Sequence, residues 1–116
     1  MQIPRPVAAA GGVWYHHHMN LNEVIRRLTA HRARLQELQV QALYVFGSVA
    51  RGTNTPASDL DLMVEFMPEA PVGLFEFARI QRELSELTGM PVDLVTRDAL
   101  HPLIRDGVLR EAVHAA

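Results

Sequence analysis

Lysine and cysteine are both missing from this chain of 116 residues. Without lysine there is no amine to act as a base or to form a Schiff base, so catalysis of that kind is closed. Without cysteine there can be no disulfide, no thiol nucleophile and no cysteine-bound zinc. Long apolar runs are missing too. None approaches the ~20 residues that cross a bilayer, and the Ala/Gly stretch from Val7 to Val13 lacks the Leu, Ile and Phe of a signal-peptide core. A soluble cytoplasmic protein with no membrane contact is expected.

Hydrophobic residues make up 48% of the chain, enough to pack one modest domain. The net charge is only -2, but it is unevenly spread. Residues 1–51 hold six arginines against Glu23 and Glu37, and the remainder holds five arginines against eleven acids. A basic first part facing an acidic second part hints at where phosphates and metals would sit; solvated helices of different charge would give the same contrast.

Residues 1–18 pass through Pro4, Pro6, Gly11 and Gly12 with no helical or strand period, and His16, His17 and His18 stand directly before Met19. The histidines could form a metal-binding tract. The plainer reading, adopted here, is a disordered N-terminal extension or tag remnant, with the domain spanning 19–116. From Leu21 the apolar residues Leu21, Val24, Ile25, Leu28, Leu35 and Leu38 follow helical spacing, with Arg26, Arg27, Arg32 and Arg34 between them and Asn20 or Asn22 as cap. Ala42 to Phe46 reads as a buried strand, Ser48 to Arg51 as one helical turn stopped by Gly52, and Thr53 to Ser58 as a loop. Asp59 to Phe66 is a second strand, with Leu60, Leu62 and Val64 on one face and Asp59 and Asp61 on the other.

Leu74 to Thr88 is a helix with Leu74, Phe77, Ala78, Leu84 and Leu87 inward and Gly89 as its stop. Pro91 to Thr96 is a third strand. Asp98 caps a final helical region, divided at Gly107, whose apolar positions are Leu100, Leu103, Ile104, Leu109 and Val113. These elements predict a two-layer α/β (α+β) domain, a three-stranded mixed sheet with helices packed on one face. The short connection after Phe46 makes the first two strands antiparallel.

The chemistry concentrates at two junctions. Acids at i and i+2 of a strand point the same way, about 6 to 7 Å apart along it. They repel unless a cation lies between them, and carboxylate oxygens are what Mg²⁺ prefers. Asp-x-Asp by itself also occurs at solvated strand edges. Here Gly47 and Ser48 precede it at a strand-to-helix turn, where Gly admits a phosphate to the backbone and Ser48 adds a hydroxyl. Arg51, one turn on, can bind phosphate oxygens. Asp93 is the only charge within Pro91 to Val95, and an acid in an apolar strand has a partner or a metal; an ion pair with Arg97 is the alternative. A phosphate cradle with three aspartates is what two-metal nucleotidyl transfer needs, with ions about 3.5 to 4 Å apart.

Phe46-Gly47-Ser48, ten residues, then Asp59-Leu60-Asp61 resembles the Gly-Ser-x10-Asp-x-Asp signature of the minimal nucleotidyltransferase (MNT) domain, of the DNA polymerase β superfamily. Ala50-Arg51-Gly52, Ser58 and Pro91-Val92-Asp93-Leu94-Val95 agree with it, and the likeness runs from about Leu21 to Val113. The resemblance implies that Gly47 and Ser48 grip the triphosphate of ATP, with Arg51 as a further phosphate contact. It implies that Asp59 and Asp61 bind two Mg²⁺ ions, and that Asp93 completes the metal site and helps deprotonate the attacking hydroxyl. Val49 departs from the Arg or aromatic that many relatives carry there, which implies weaker triphosphate binding.

Stand-alone domains of this kind resemble the antitoxin of a module whose other half is a HEPN-domain ribonuclease, where the expected reaction is adenylylation of a tyrosine on the toxin. The absence of an accessory domain argues against an aminoglycoside-type acceptor. The complete set of acids argues against an antitoxin that acts by binding alone. Nucleic acid is disfavoured as a partner: the arginines at 26, 27, 32 and 34 lie on the solvated side of their helix, as a charged docking surface for a partner, and the aspartates repel a polyanion.

Overall fold

The computed structural model describes residues 19–116. The extension expected over 1–18, with its histidine tract, lies outside the described residues.

Asn20 starts the first helix. Its side chain accepts the Glu23 amide at 2.9 Å while the Glu23 carboxylate accepts the Asn20 amide at 3.2 Å, a reciprocal cap that satisfies two of the free amides at a helix start. Helix α1 (Leu21–Ala30) turns its apolar side, Val24 and Leu28, fully into the core. The single helix expected to Leu38 is two: the backbone departs from helical angles at His31, and α2 (Arg32–Glu37) follows. Strand β1 (Val40–Phe46) leads into the single turn of α3 (Gly47–Arg51), and Gly52 closes that turn in the left-handed conformation, φ 74°, as expected of a glycine stop. After β2 (Leu60–Phe66) come α4 (Leu74–Thr88), ended by Gly89 at φ 73°, and β3 (Val92–Thr96). A short 3-10 turn (Arg97–Ala99), α5 (Pro102–Glu111) and β4 (Val113–His114) complete the domain.

The sheet is mixed, with strand order β3-β2-β1-β4. β1 and β2 are antiparallel, as their short connection requires, and β2 and β3 are parallel. The count of three strands is corrected to four. Val113, read as a helical position, pairs with Val45, and His114 pairs with Tyr44, so the last residues cover the free edge of β1. A two-residue strand has no period to detect, and tertiary pairing decides its conformation.

Leu60, Leu62 and Val64 join Leu43, Val45, Ile80 and Leu84 in the main core, each large side chain contributing about 1.5–3 kcal/mol by burial. Met63, on the alternate face of β2, packs with Leu100 and Val108, so the chain after β3 shields part of the face that carries Asp61.

Several expected core positions are corrected. Leu74 and Leu103 are 81% and 88% exposed, and Ile104 and Ala78 are exposed as well. Ile80, not among the expected inward positions, is buried with Leu84 and Thr88. Helix α5 runs unbroken through Gly107, and its cap is His101, whose ring accepts the Leu103 amide at 3.1 Å; Asp98 sits within the 3-10 turn instead.

Candidate active site

The outer edge of the sheet is β3, and its outward amides are held by α4. The Val92 amide donates to Ser85 Oγ at 3.1 Å and the Leu94 amide to Gln81 Oε1 at 3.0 Å. These bonds satisfy an edge that would otherwise invite another strand, and they fix the residue between them, Asp93. In the parallel register Asp93 stands beside Asp61, and Phe46, the residue before Gly47, stands opposite Asp61 on the other side. Asp61 and Asp93 therefore share one face of the sheet at one end. Arg97, the alternative partner for Asp93, pairs instead with Glu65 at 3.1 Å, and Asp93 is exposed.

Gly47 has φ 73°, and a Cβ there would lie 2.1 Å from Asp61 Oδ2. Only glycine lets the turn after β1 close down on this aspartate. Asp59 lies one residue ahead of β2, exposed, at the end of a loop tied by the Ser58 amide to Thr55 O (3.0 Å), the Thr55 amide to Ser58 Oγ (2.9 Å) and Asn54 Nδ2 to Met19 O (3.0 Å).

The Asp61 carboxyl is held above its ordinary value of 3.8. Burial is the largest cause, followed by the charges of Asp93 and Asp59; Arg51 opposes the rise and Glu111 adds to it. Among the described residues no three His, Asp or Glu side chains are gathered closely enough to hold a metal ion as they stand. The donor set itself fits a hard divalent ion: carboxylate oxygens alone, from two adjacent strands, with a third acid on the loop leading in.

Arg51 is not a free cation awaiting phosphate. Its Nη1 bonds Glu111 Oε1 at 2.9 Å and Oε2 at 3.2 Å, and Glu111 Oε2 also accepts the Gly47 amide at 3.3 Å. Sequence reasoning missed Glu111. One signal pointed to it: an acid in the last turn of a helix opposes the macrodipole and calls for a compensating partner. Val49 is 1% exposed and packs in the main core. Of the arginines on the first two helices, Arg26, Arg27 and Arg32 are exposed and Arg34 is half-buried. Arg34 bonds Glu83 and Glu37, and Arg27 reaches Thr88 O at 3.4 Å. Val24 and Leu28 pack α1 on the sheet face that carries Leu60 and Leu62, opposite Asp61.

A model of the nucleotidyltransferase domain matches residues 28–114. The chain belongs to the nucleotidyltransferase domain family. It is an enzyme of that class, and it is similar to the protein adenylyltransferase MntA of Thermococcus cleftensis, 39% identical over 97 residues that cover 83% of this chain and 96% of the relative. A solved minimal nucleotidyltransferase is 40% identical with a TM-score of 0.69, over 83% of this chain and 96% of that one. The MNT antitoxin complex with a tri-AMPylated HEPN toxin of Shewanella oneidensis gives a chain match with a TM-score of 0.57 at 16% identity, covering 80% of this chain and 71% of the other. At that identity the likeness is one of fold.

Proposed function

We propose that this nucleotidyltransferase transfers AMP from ATP to a tyrosine hydroxyl of a HEPN-type toxin and so serves as its antitoxin. The observation that carries the reading is the placement of Asp61 and Asp93 side by side against the Gly47 turn. The name of the Thermococcus relative supports the adenylyl group and a protein acceptor, and the Shewanella complex supports the partner class.

Asp59, Asp61 and Asp93 would hold two Mg²⁺ ions, which supply charge neutralisation on the phosphates and at the attacking oxygen. Gly47, Ser48 and Arg51 bind the β- and γ-phosphates and point the α-phosphorus at the sheet edge. The acceptor oxygen attacks that phosphorus, the bond to the β-phosphate bridging oxygen breaks, and pyrophosphate leaves. Asp93, on the outermost strand, takes the hydroxyl proton. An open hollow of about 460 Å³ runs beside β3, lined by Val72, Leu74, Phe77, Leu94 and Val95, and Phe75 next to it is 86% exposed. Apolar exposure of this kind beside the acceptor strand suits a protein partner that brings its own hydroxyl in line and excludes water.

The test is incubation with ATP labelled at the α-phosphate, Mg²⁺, a HEPN-type protein and a panel of aminoglycosides. The expected result is label on a partner tyrosine that chelation of the metal abolishes. Label on an aminoglycoside and none on the partner overturns the proposal.

A further inference from the structure

Glu111 ends α5, far along the chain from the Gly-Ser turn, yet its carboxylate reaches both ends of α3. Oε2 accepts the Gly47 amide and both oxygens bond Arg51 Nη1. The Arg51 side chain is 55% exposed and that of Glu111 is 26% exposed. An arginine so exposed samples many rotamers unless something holds it, and each is lost when a ligand binds. Glu111 engages one nitrogen only. Among the described residues, Nη2 and Nε carry no hydrogen bond.

We propose that Glu111 is a positioning residue of the phosphate cradle, holding the Arg51 guanidinium and the Gly47 amide in the arrangement that receives the triphosphate. The inference rests on the reading of this site as a nucleoside triphosphate site. The turn at Gly47 sits close to the Asp61 carboxylate, since a Cβ there would lie 2.1 Å from Asp61 Oδ2. Fixing the Gly47 amide from α5 therefore fixes the spacing between the cradle and the acidic pair. The opposite role is equally concrete: a carboxylate seated on a phosphate-binding arginine could compete with phosphate for it. The two roles predict opposite signs.

The experiment titrates Mg²⁺ with a non-hydrolysable ATP analogue, by calorimetry, into the wild-type chain, E111A, E111Q, R51A and the R51A/E111A double variant, with thermal melts in the same buffer. E111A is expected to weaken binding about ten-fold, the scale of one charge-assisted contact left unorganised. E111Q keeps an oxygen for one donor and recovers part of the loss, and it carries the test if E111A fails to melt cooperatively. In the R51A background E111A costs less than it does in the wild type, since its hold on Arg51 is gone and only its hold on the Gly47 amide remains. In turnover the loss falls on KM for the nucleotide, with kcat near the wild-type value. Equal or tighter binding by E111A and E111Q overturns the proposal and marks Glu111 as a bystander or a competing anion. Equal losses in both backgrounds overturn it too. A wild-type chain that binds no nucleotide overturns the reading of the whole site, and this inference with it.

Discussion

Replacing Asp61 by Asn separates the cost of the acidic cluster from its use. Asp61 and Asp93 are register partners on adjacent strands, so their carboxylates sit roughly 6 Å apart, a little beyond the ~4.8 Å strand spacing. Two unit charges at that distance repel by about 3 kcal/mol at an effective dielectric of 20 and by about 0.7 kcal/mol in water. Asp61 is only partly buried, so the water-like end weighs more and about 1 kcal/mol is the working figure. In chelator at neutral pH, Asp61→Asn should raise the melting temperature by about 4–8 °C, the scale for 1 kcal/mol in a domain of this size. The sign follows from the raised carboxyl: the native state holds the proton more tightly than the unfolded chain does, so the contribution of Asp61 to stability is full below the ordinary value of 3.8 and is lost as pH rises through the higher native value. The advantage of the Asn variant should therefore disappear in acid. Mg²⁺ with nucleotide should stabilise the wild type and leave the variant nearly unchanged. Turnover should fall on the order of 10² or more, because charge stabilisation at the reacting phosphate is lost. A variant that melts below the wild type in chelator at neutral pH, or whose advantage persists in acid, refutes the argument.

Gly47→Ala places a Cβ 2.1 Å from Asp61 Oδ2 at φ 73°, so it should cost about 1–2 kcal/mol and nearly all activity; wild-type turnover would disprove the close approach. Val49→Ala should lower stability by about 1–2 kcal/mol and leave nucleotide affinity unchanged, which a melt and a titration decide together. Phe75→Asp should abolish binding to the HEPN-type partner without touching nucleotide affinity; a partner that still binds moves the docking surface away from β3.

The alternation of Leu60, Leu62 and Val64 against Asp59 and Asp61 was legible because a strand with one face in the main core must repeat every second residue. The Gly-Ser turn was legible because its chemistry is local. What escaped was non-local. Val113 is a strand residue because β1 had an open edge to fill, and nothing in Val-His-Ala-Ala records that edge. Leu74, Leu103 and Ile104 keep helical spacing but lie in the first turns of α4 and α5, where the spacing continues and the core does not. Periodicity states which residues share a side of a helix and is silent on whether anything covers it.

Glu111 is the sharpest case, since its contacts with Gly47 and Arg51 exist only once α5 has carried it back to the turn after β1. A phosphate cradle read from Gly47, Ser48 and Arg51 alone presents a free arginine. The folded chain presents an arginine already held by a carboxylate, beside an aspartate already held above its ordinary ionisation range. The site thus carries four acids, Asp59, Asp61, Asp93 and Glu111, around one guanidinium. If the site takes a divalent cation and a nucleotide, as proposed, that imbalance predicts that the nucleotide binds with the metal or after it, and that a titration of nucleotide in chelator shows no binding.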